Sequence, residues 1–458
     1  MKWKIVIFLM AMLAILAGCV GETPTPTPKP SGAQSGPLAT AAALNAQVTL
    51  VPPTPLGGFD ASGLTADDYV GITEQAWYIV NANYVRDDFN GVDWDAIYDE
   101  YMALAEDVTS SDELWDLLGA MIRELNDDHS RHVRPDRFSD EFELGDSSVI
   151  EYSAASNSPN RAASTGTGLD IWPAKEDEYL YVWNICTTSP AASAGIVRGD
   201  VILAVNGTEV LKTPAGFDPY LWVPLIRESG SAFTLTIQSG ADAAPRDVQV
   251  GFGDVSGCDD WWYEVVSQDP YIGYIRLPDY SGDAASQVMS FIREMEATQP
   301  LDGLILDQRH NPGGNSDDTA GLFADGVVGT VGPLREDKQR TSYRIRGVDW
   351  NAETPIVVLT DGNSHSAADY FPAAMQELER ATIIGMPSAG NTEGITGFNL
   401  ADSSIIRLAV TILLLNDGSS IEGVGVIPDI EVPLGFDGLR QQPYDVQVQA
   451  AIDFLSGK

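Results

Sequence analysis

An apolar run, Ile356-Val357-Val358-Leu359-Thr360, stops at Asp361-Gly362, and apolar residues resume with helical spacing at Tyr370, Phe371, Ala374, Met375 and Leu378. The first run reads as a buried strand and the second as the inner stripe of a helix. The segment between them, Gly362-Asn363-Ser364-His365-Ser366-Ala367-Ala368-Asp369, is therefore a strand-to-helix turn. That unit constrains the fold more than any other stretch, because a buried strand feeding directly into a helix belongs to a layered α/β core. It also places Ser366 on the first helical turn, where free backbone N–H groups can receive an oxyanion. A nucleophilic serine is presented in this way; the plainer alternative is that Ser364 or Ser366 caps the helix.

Other runs extend the α/β reading. Residues 272–277, Gly303–Asp307, Ile356–Thr360, Thr382–Gly385 and 405–413 read as strands, and 283–296 reads as a helix. Strands alternating with helices predict a wound α/β core over residues 261–458. Residues 64–140 read as a helical domain. Thr65 is the expected cap of a helix carrying Tyr69, Ile72, Ala76 and Val80. Ser111 is the expected cap of another carrying Leu114, Leu117, Leu118, Met121, Ile122 and Leu125.

The chain of 458 residues has room for two or three domains. Lys+Arg 26 against Asp+Glu 66 gives a net charge of -40, which argues against nucleic acid or an anionic membrane surface as partner. Lys2 and Lys4 precede an apolar stretch over residues 5–17 that is too short to span a bilayer comfortably. Leu16-Ala17-Gly18-Cys19 is similar to a bacterial lipobox, which implies a signal peptide over residues 1–19 and lipid attachment at Cys19. Residues 20–63, rich in Pro and Thr, read as a disordered tether. The expected location is thus extracytoplasmic, held to a bacterial bilayer by the lipid. In an exported protein Cys186 and Cys258 are a disulfide candidate, worth about 4 kcal/mol in the chain-entropy model, against the alternative of two buried thiols. No His-Glu-x-x-His, no paired Cys-x-x-Cys and no phosphate-binding glycine loop occurs, so neither metal nor cofactor is expected.

Ser189-Pro190-Ala191-Ala192-Ser193-Ala194-Gly195-Ile196-Val197-Arg198-Gly199-Asp200-Val201-Ile202-Leu203-Ala204-Val205-Asn206-Gly207 closely resembles the most recognisable part of a PDZ domain, here spanning residues 160–255. The resemblance implies capture of polypeptide chain ends by strand addition at Gly168, Leu169 and Ile171, with residues 220–228 as the helix lining the groove.

Leu306-Asp307-Gln308-Arg309-His310-Asn311-Pro312-Gly313-Gly314 resembles the Asp-x-Arg-x-Asn-x-Gly-Gly loop of the carboxyl-terminal processing, or tail-specific, protease family. Ser364-His365-Ser366-Ala367-Ala368-Asp369 is similar to its nucleophile motif. Glu422-Gly423-Val424-Gly425-Val426-Ile427-Pro428-Asp429 is similar to its closing segment. The resemblance implies a ClpP/crotonase-like protease core with an N-terminal helical bundle and an inserted PDZ domain. It implies Ser366 as nucleophile and the backbone N–H groups of Gly313 and Ala367 as the oxyanion hole.

The chain departs from the family's Ser-Lys dyad, because Asn391 stands where the lysine is expected and an amide accepts no proton. The tricorn-type branch uses a histidine from the end of the helical domain and a glutamate ahead of the closing segment. By that resemblance His129 is the general base and Glu422 the carboxylate that orients it. His132 is the neighbouring rival for the base, and Glu393 for the carboxylate. His365 is expected in a pocket or at the surface, and Asp369 as a support for the helix or a contact for substrate. The expected function is an extracytoplasmic serine endopeptidase acting through an acyl-enzyme on unfolded or C-terminally tagged polypeptides. The alternatives are an inactive peptide-binding protein of the same fold, or an esterase using the same triad.

Overall fold

The computed structural model describes residues 65–127, 129–135, 165–173, 180–210, 231–240, 242–255, 261–280, 282–347, 350–441 and 443–458. The signal segment with Cys19, the tether, the 220–228 segment and Cys258 lie outside the described residues.

The centre is a six-stranded sheet. In spatial order its strands are Tyr263–Gln268, Tyr271–Arg276, Gly303–Asp307, Ile356–Thr360, Thr382–Gly385 and Ile430–Glu431. All pairings are parallel except that of the first strand. Gly303–Asp307 and Ile356–Thr360 are buried at every position, as expected of parallel strands covered on both faces. Ala284–Glu296, Asp317–Gly321 and Ala367–Glu377 contribute the apolar cluster on one side of the sheet, and Val446–Leu455 contributes the cluster on the other.

A second, antiparallel sheet is organised around the long strand Ile405–Leu415. It pairs with Arg131–Val133, Gly326–Gly332 and Gly394–Asn399. The N-terminal helices Ala66–Asn83, Trp94–Ala105 and Ser111–Arg123 pack against this sheet, and their core includes Phe398, Leu400, Ile406, Leu408 and Ile412. Thr65 stands at the N-cap position expected of the first helix, where its N–H and O–H donate to Asp68 Oδ2 at 2.8 and 2.7 Å. The third helix is capped by Ser110 rather than Ser111: Ser110 holds the extended conformation that lets its Oγ accept from Glu113 N–H, at 3.3 Å.

The PDZ unit is a sheet in the order Leu169–Pro173, Leu180–Ile185, Val201–Val205, Ala232–Gln238 and Arg246–Gly251, with Thr208–Glu209 also paired to Val201–Val205. Among the described residues Leu169–Pro173 is an edge strand. Tyr181, Trp183 and Val201 of this unit pack on Leu434 and Leu439 of the core. Cys186 is disulfide-bonded.

Candidate active site

The loops that follow three parallel strands meet at the carboxyl edge of the central sheet, where open α/β sheets place their ligands. They are laced by backbone bonds. His365 N–H donates to Asn311 O at 3.1 Å, Ala389 N–H to Ser364 O at 2.8 Å, and Ser366 N–H to Asn391 O at 2.9 Å.

Ser366 precedes the Ala367–Glu377 helix with φ 57° and ψ -120°, and its side chain makes no capping bond. A non-glycine residue in that conformation stores roughly 1–3 kcal/mol of strain. Ser364 does not cap the helix either: its buried Oγ lies 3.0 Å from both Gln308 O and Asp361 Oδ1, which ties the turn to the neighbouring loop. Gly313 abuts the Ser366 turn. A Cβ there would come within 2.7 Å of Ser366 Cβ, 2.9 Å of His365 O and 3.0 Å of Ala367 N, so no other residue fits. Gly313 N–H donates to Asn311 Oδ1 at 2.8 Å in this conformation and has to turn from it to serve an oxyanion.

Asp369 holds the loop beneath Ser366. Its Oδ1 accepts from Ser388 O–H at 2.5 Å and Gly390 N–H at 2.8 Å, and its Oδ2 from Asn391 N–H at 3.1 Å. Burial pushes its carboxyl up to about 6 against these donors. The acid therefore supports the loop carrying the Asn391 carbonyl, a role that the reading of it as a helix support only approaches.

His129 stands between the helical layer and the strand Arg131–Val133. Asp127 Oδ1 accepts from His129 N–H at 2.9 Å and Ser130 N–H at 2.5 Å, and its Oδ2 accepts from Tyr84 O–H at 2.7 Å. Ser130 Oγ accepts from Ala409 N–H at 3.1 Å, which pins this turn to the long strand. The imidazole lies between two carboxylates: Nδ1 is 3.7 Å from Glu393 Oε2 and Nε2 is 3.8 Å from Glu422 Oε1. These are ion-pair separations rather than hydrogen bonds. The two acids that compete in the sequence thus form a pair, with Glu393 and Glu422 both beside His129. Thr392 N–H and O–H each donate to Glu422 Oε2 at 2.7 Å. Since Asn391 binds Ser366 and Thr392 follows it, two consecutive residues connect the Ser366 turn to the acid beside His129. Arg86, Asn90, Arg123, Asp127, Glu393 and Glu422 line a cavity of about 650 Å³ that opens on His129.

The other histidines stand apart from the two glutamates. His132 is partly buried near Asp402, and burial pushes its imidazole down to about 4. His310 stacks on Trp183 of the PDZ unit with ring centroids 4.8 Å apart, and burial holds it well below the usual imidazole range. His365, expected at a pocket or the surface, is buried instead, with Nδ1 3.0 Å from Asn363 O. Among the described residues the lysines are Lys338, which sits 3.7 Å from Asp337, and Lys458, 4.0 Å from Asp453. Leu169 and Ile171 of the PDZ edge strand point into that unit's core; Leu169 N–H donates to Thr167 Oγ1 at 3.3 Å.

Arg86 and Asp127 escaped the sequence reading. Asp127 carries a local signal, an acid two residues ahead of His129 able to close a turn. Arg86 carries none, since its partner Glu393 is 307 residues away.

Three family models match the chain: Peptidase family S41 over residues 271–432, the Tricorn protease C1 domain over 67–123 and a PDZ domain over 182–238. The chain is 31% identical to the carboxy-terminal-processing protease of Bartonella bacilliformis over 274 residues, 58% of this chain and 61% of that protein. It therefore spans less than two thirds of that relative. It is 26% identical to the carboxyl-terminal-processing protease of Synechocystis sp. over 404 residues, 84% of this chain and 86% of that one. The solved photosystem II D1 C-terminal processing protease shares the fold, with a TM-score of 0.57 and 23% identity over 82% of this chain and 96% of that one. Residues 271–432 thus form a peptidase family S41 domain of the serine type and residues 182–238 a PDZ domain, in a chain whose relatives are carboxyl-terminal-processing proteases.

Proposed function

We propose that the protein is an extracytoplasmic endopeptidase, anchored through Cys19, that cleaves unfolded or C-terminally tagged polypeptides using Ser366 as nucleophile and His129 as general base. The observation that carries this reading is the strained, uncapped Ser366 at the strand-to-helix turn beside Gly313. Ser366 Oγ attacks the scissile carbonyl as its proton passes to His129. Ala367 N–H, and Gly313 N–H once released from Asn311, receive the oxyanion. His129 then protonates the leaving amine, and water attacks the acyl-enzyme by the reverse route. Glu422 stabilises the imidazolium as it forms. A captured chain end extends the PDZ sheet at the Leu169–Pro173 edge.

Wild-type protein is expected to react with a fluorophosphonate at Ser366 and to cleave an unfolded protein. His129→Ala is expected to lower cleavage by roughly 1,000-fold or more. Wild-type cleavage should decline as pH falls through about 6–7, where an ordinary imidazole takes up a proton. Undiminished cleavage by His129→Ala, or a flat profile across that range, would sink the assignment.

A further inference from the structure

Three segments distant in sequence converge on His129 because each is attached to the strand Ile405–Leu415. Val85 N–H bonds to Ala409 O, which sets Arg86. Ser130 Oγ accepts from Ala409 N–H, which sets His129. Gly394–Asn399 pairs along the same strand, which sets Glu393 at its start. Arg86 Nη2 pairs with Glu393 Oε1, and the other oxygen of Glu393 faces His129 Nδ1.

The two acids beside the imidazole differ in how they are held. The Glu393 side chain is 2% exposed and clamped by a guanidinium, whereas that of Glu422 is 14% exposed and held by Thr392, next to Val424, which is 58% exposed. A histidine that activates a serine needs one nitrogen for the hydroxyl and an acceptor for the N–H of the other. Both nitrogens face carboxylates here, so only one of the acids can keep its place when Ser366 engages the ring.

We propose that Glu393, clamped by Arg86, is the positioning residue that fixes the ring and tautomer of His129 through Nδ1, leaving Nε2 to pass from Glu422 to Ser366. This rests on the reading of His129 as the base. The Arg86 charge opposes the burial of Glu393, which still pushes its carboxyl up to about 7. The charged and titratable groups around the imidazole are Arg86, Glu393, Glu422 and Asp127, with Tyr84 on Asp127 and Arg123 at the cavity wall. An anion at Nδ1 favours the imidazolium, so its removal makes His129 easier to deprotonate and less strongly held.

The test is the pH dependence of kcat/KM for an unfolded protein substrate. Glu393→Gln keeps an acceptor of the same shape and removes the charge. It should shift the acidic limb of the profile down by roughly one unit and lower kcat about 10-fold with little change in KM. Glu393→Asp should recover part of the wild-type limb. Arg86→Met leaves the buried acid without its cation, favours its neutral form and should shift the limb in the same direction. The Arg86→Met/Glu393→Gln double variant should be no worse than the more impaired single variant. If Glu393 only ties the helical layer to the sheet, stability falls while folded protein keeps the wild-type limb, and the proposal is overturned. A change confined to KM overturns it as well. If Glu393→Gln does not fold, the limbs of Glu393→Asp and Arg86→Met decide by the same criterion. Activity retained by His129→Ala would refute the base assignment itself, whereas an inactive His129→Ala beside an unshifted Glu393→Gln limb would refute only the role of Glu393.

Discussion

Ser366→Ala is expected to lower kcat for an unfolded protein by roughly 10,000- to 1,000,000-fold and to leave unfolding free energy within about 0.5 kcal/mol of wild type. The two halves of this result come from one geometric fact. The residue stands at the N-cap position of the Ala367–Glu377 helix without using its hydroxyl as a cap. A working serine cap would cost about 1 kcal/mol on replacement by alanine; here that loss is absent because there is no cap bond to lose. The strain at φ 57° is equally present for alanine, so it cancels in the comparison. Ser366→Gly removes both hydroxyl and strain, and should be inactive yet more stable by about 1 kcal/mol. Ser364→Ala gives the opposite pattern. It takes one buried donor from Gln308 O and Asp361, which keeps the N–H groups of His310 and Asn363, and should destabilise by roughly 1–3 kcal/mol while leaving Ser366 in place. Cleavage assays and urea denaturation of the three variants separate the roles. A Ser366→Ala protein that cleaves normally and loses about 1 kcal/mol would return this serine to the rank of a helix cap.

The central sheet was legible because parallel strands covered on both faces are written as unbroken apolar runs. Gly303–Asp307, Ile356–Thr360 and Thr382–Gly385 stand where the sequence predicts them. The helix Trp94–Ala105 escaped, although Asp93 caps it and Trp94, Ile97, Tyr101 and Ala105 form a buried stripe, because Asp95, Asp99 and Glu100 stand between the stripe positions and thin the apolar signal along the chain. Capping by Ser110 rather than Ser111 is a matter of backbone geometry, which two adjacent serines do not reveal.

The site divides in the same way. The nucleophile turn and its glycine partner are local patterns with a steric requirement that residue types express directly. The surroundings of His129 are not local, since Arg86, His129 and Glu393 are assembled by pairing to a strand that follows all three in sequence. Sequence narrowed the acid to Glu422 or Glu393 but could not anticipate that the imidazole stands between them. His365 misled because a histidine on an exposed-looking turn reads as accessible, whereas its N–H donates to Asn311 O and its ring turns back on Asn363 O.

Arg309→Met is expected to destabilise the protein by roughly 3–5 kcal/mol at neutral pH, because it removes a buried guanidinium from between two buried carboxylates. The guanidinium is fully buried and uses its fork on three partners. Nε and Nη2 donate to the two oxygens of Asp307 at 2.8 and 2.6 Å. Nη1 donates to Asp445 Oδ1 at 3.0 Å and to Gln447 Oε1 at 2.8 Å, and Nη2 also reaches Asp445 Oδ2 at 3.1 Å. Asp445 caps the Val446–Leu455 helix and also pairs with Arg198 of the PDZ unit at 2.9 Å. Arg309 lies 4.9 Å from the ring centroid of Trp183, which stacks on His310. One side chain thus joins the strand that leads to the Gly313 loop, the C-terminal helix and the PDZ face. Burial alone would raise the pKa of Asp307 and Asp445, but Arg309 outweighs it and holds both below the usual carboxylate range. Their contribution is therefore present above an ordinary aspartate pKa of about 3.9 and is lost as pH falls through the depressed folded values. In Arg309→Met burial meets less opposition, with Arg276 and Tyr274 remaining for Asp307 and Arg198 for Asp445, so both acids protonate more readily. The gap between variant and wild type should be largest near pH 7 and narrow as pH drops below about 4. Asp307→Asn and Asp445→Asn added to Arg309→Met should recover part of the loss at neutral pH, whereas Arg309→Lys should recover less than its charge suggests, because an ammonium cannot span the fork. Urea midpoints at the two pH values measure this directly. A loss below about 1 kcal/mol at pH 7, or one that does not change with acid, would mean that the cluster is not the joint between these three parts.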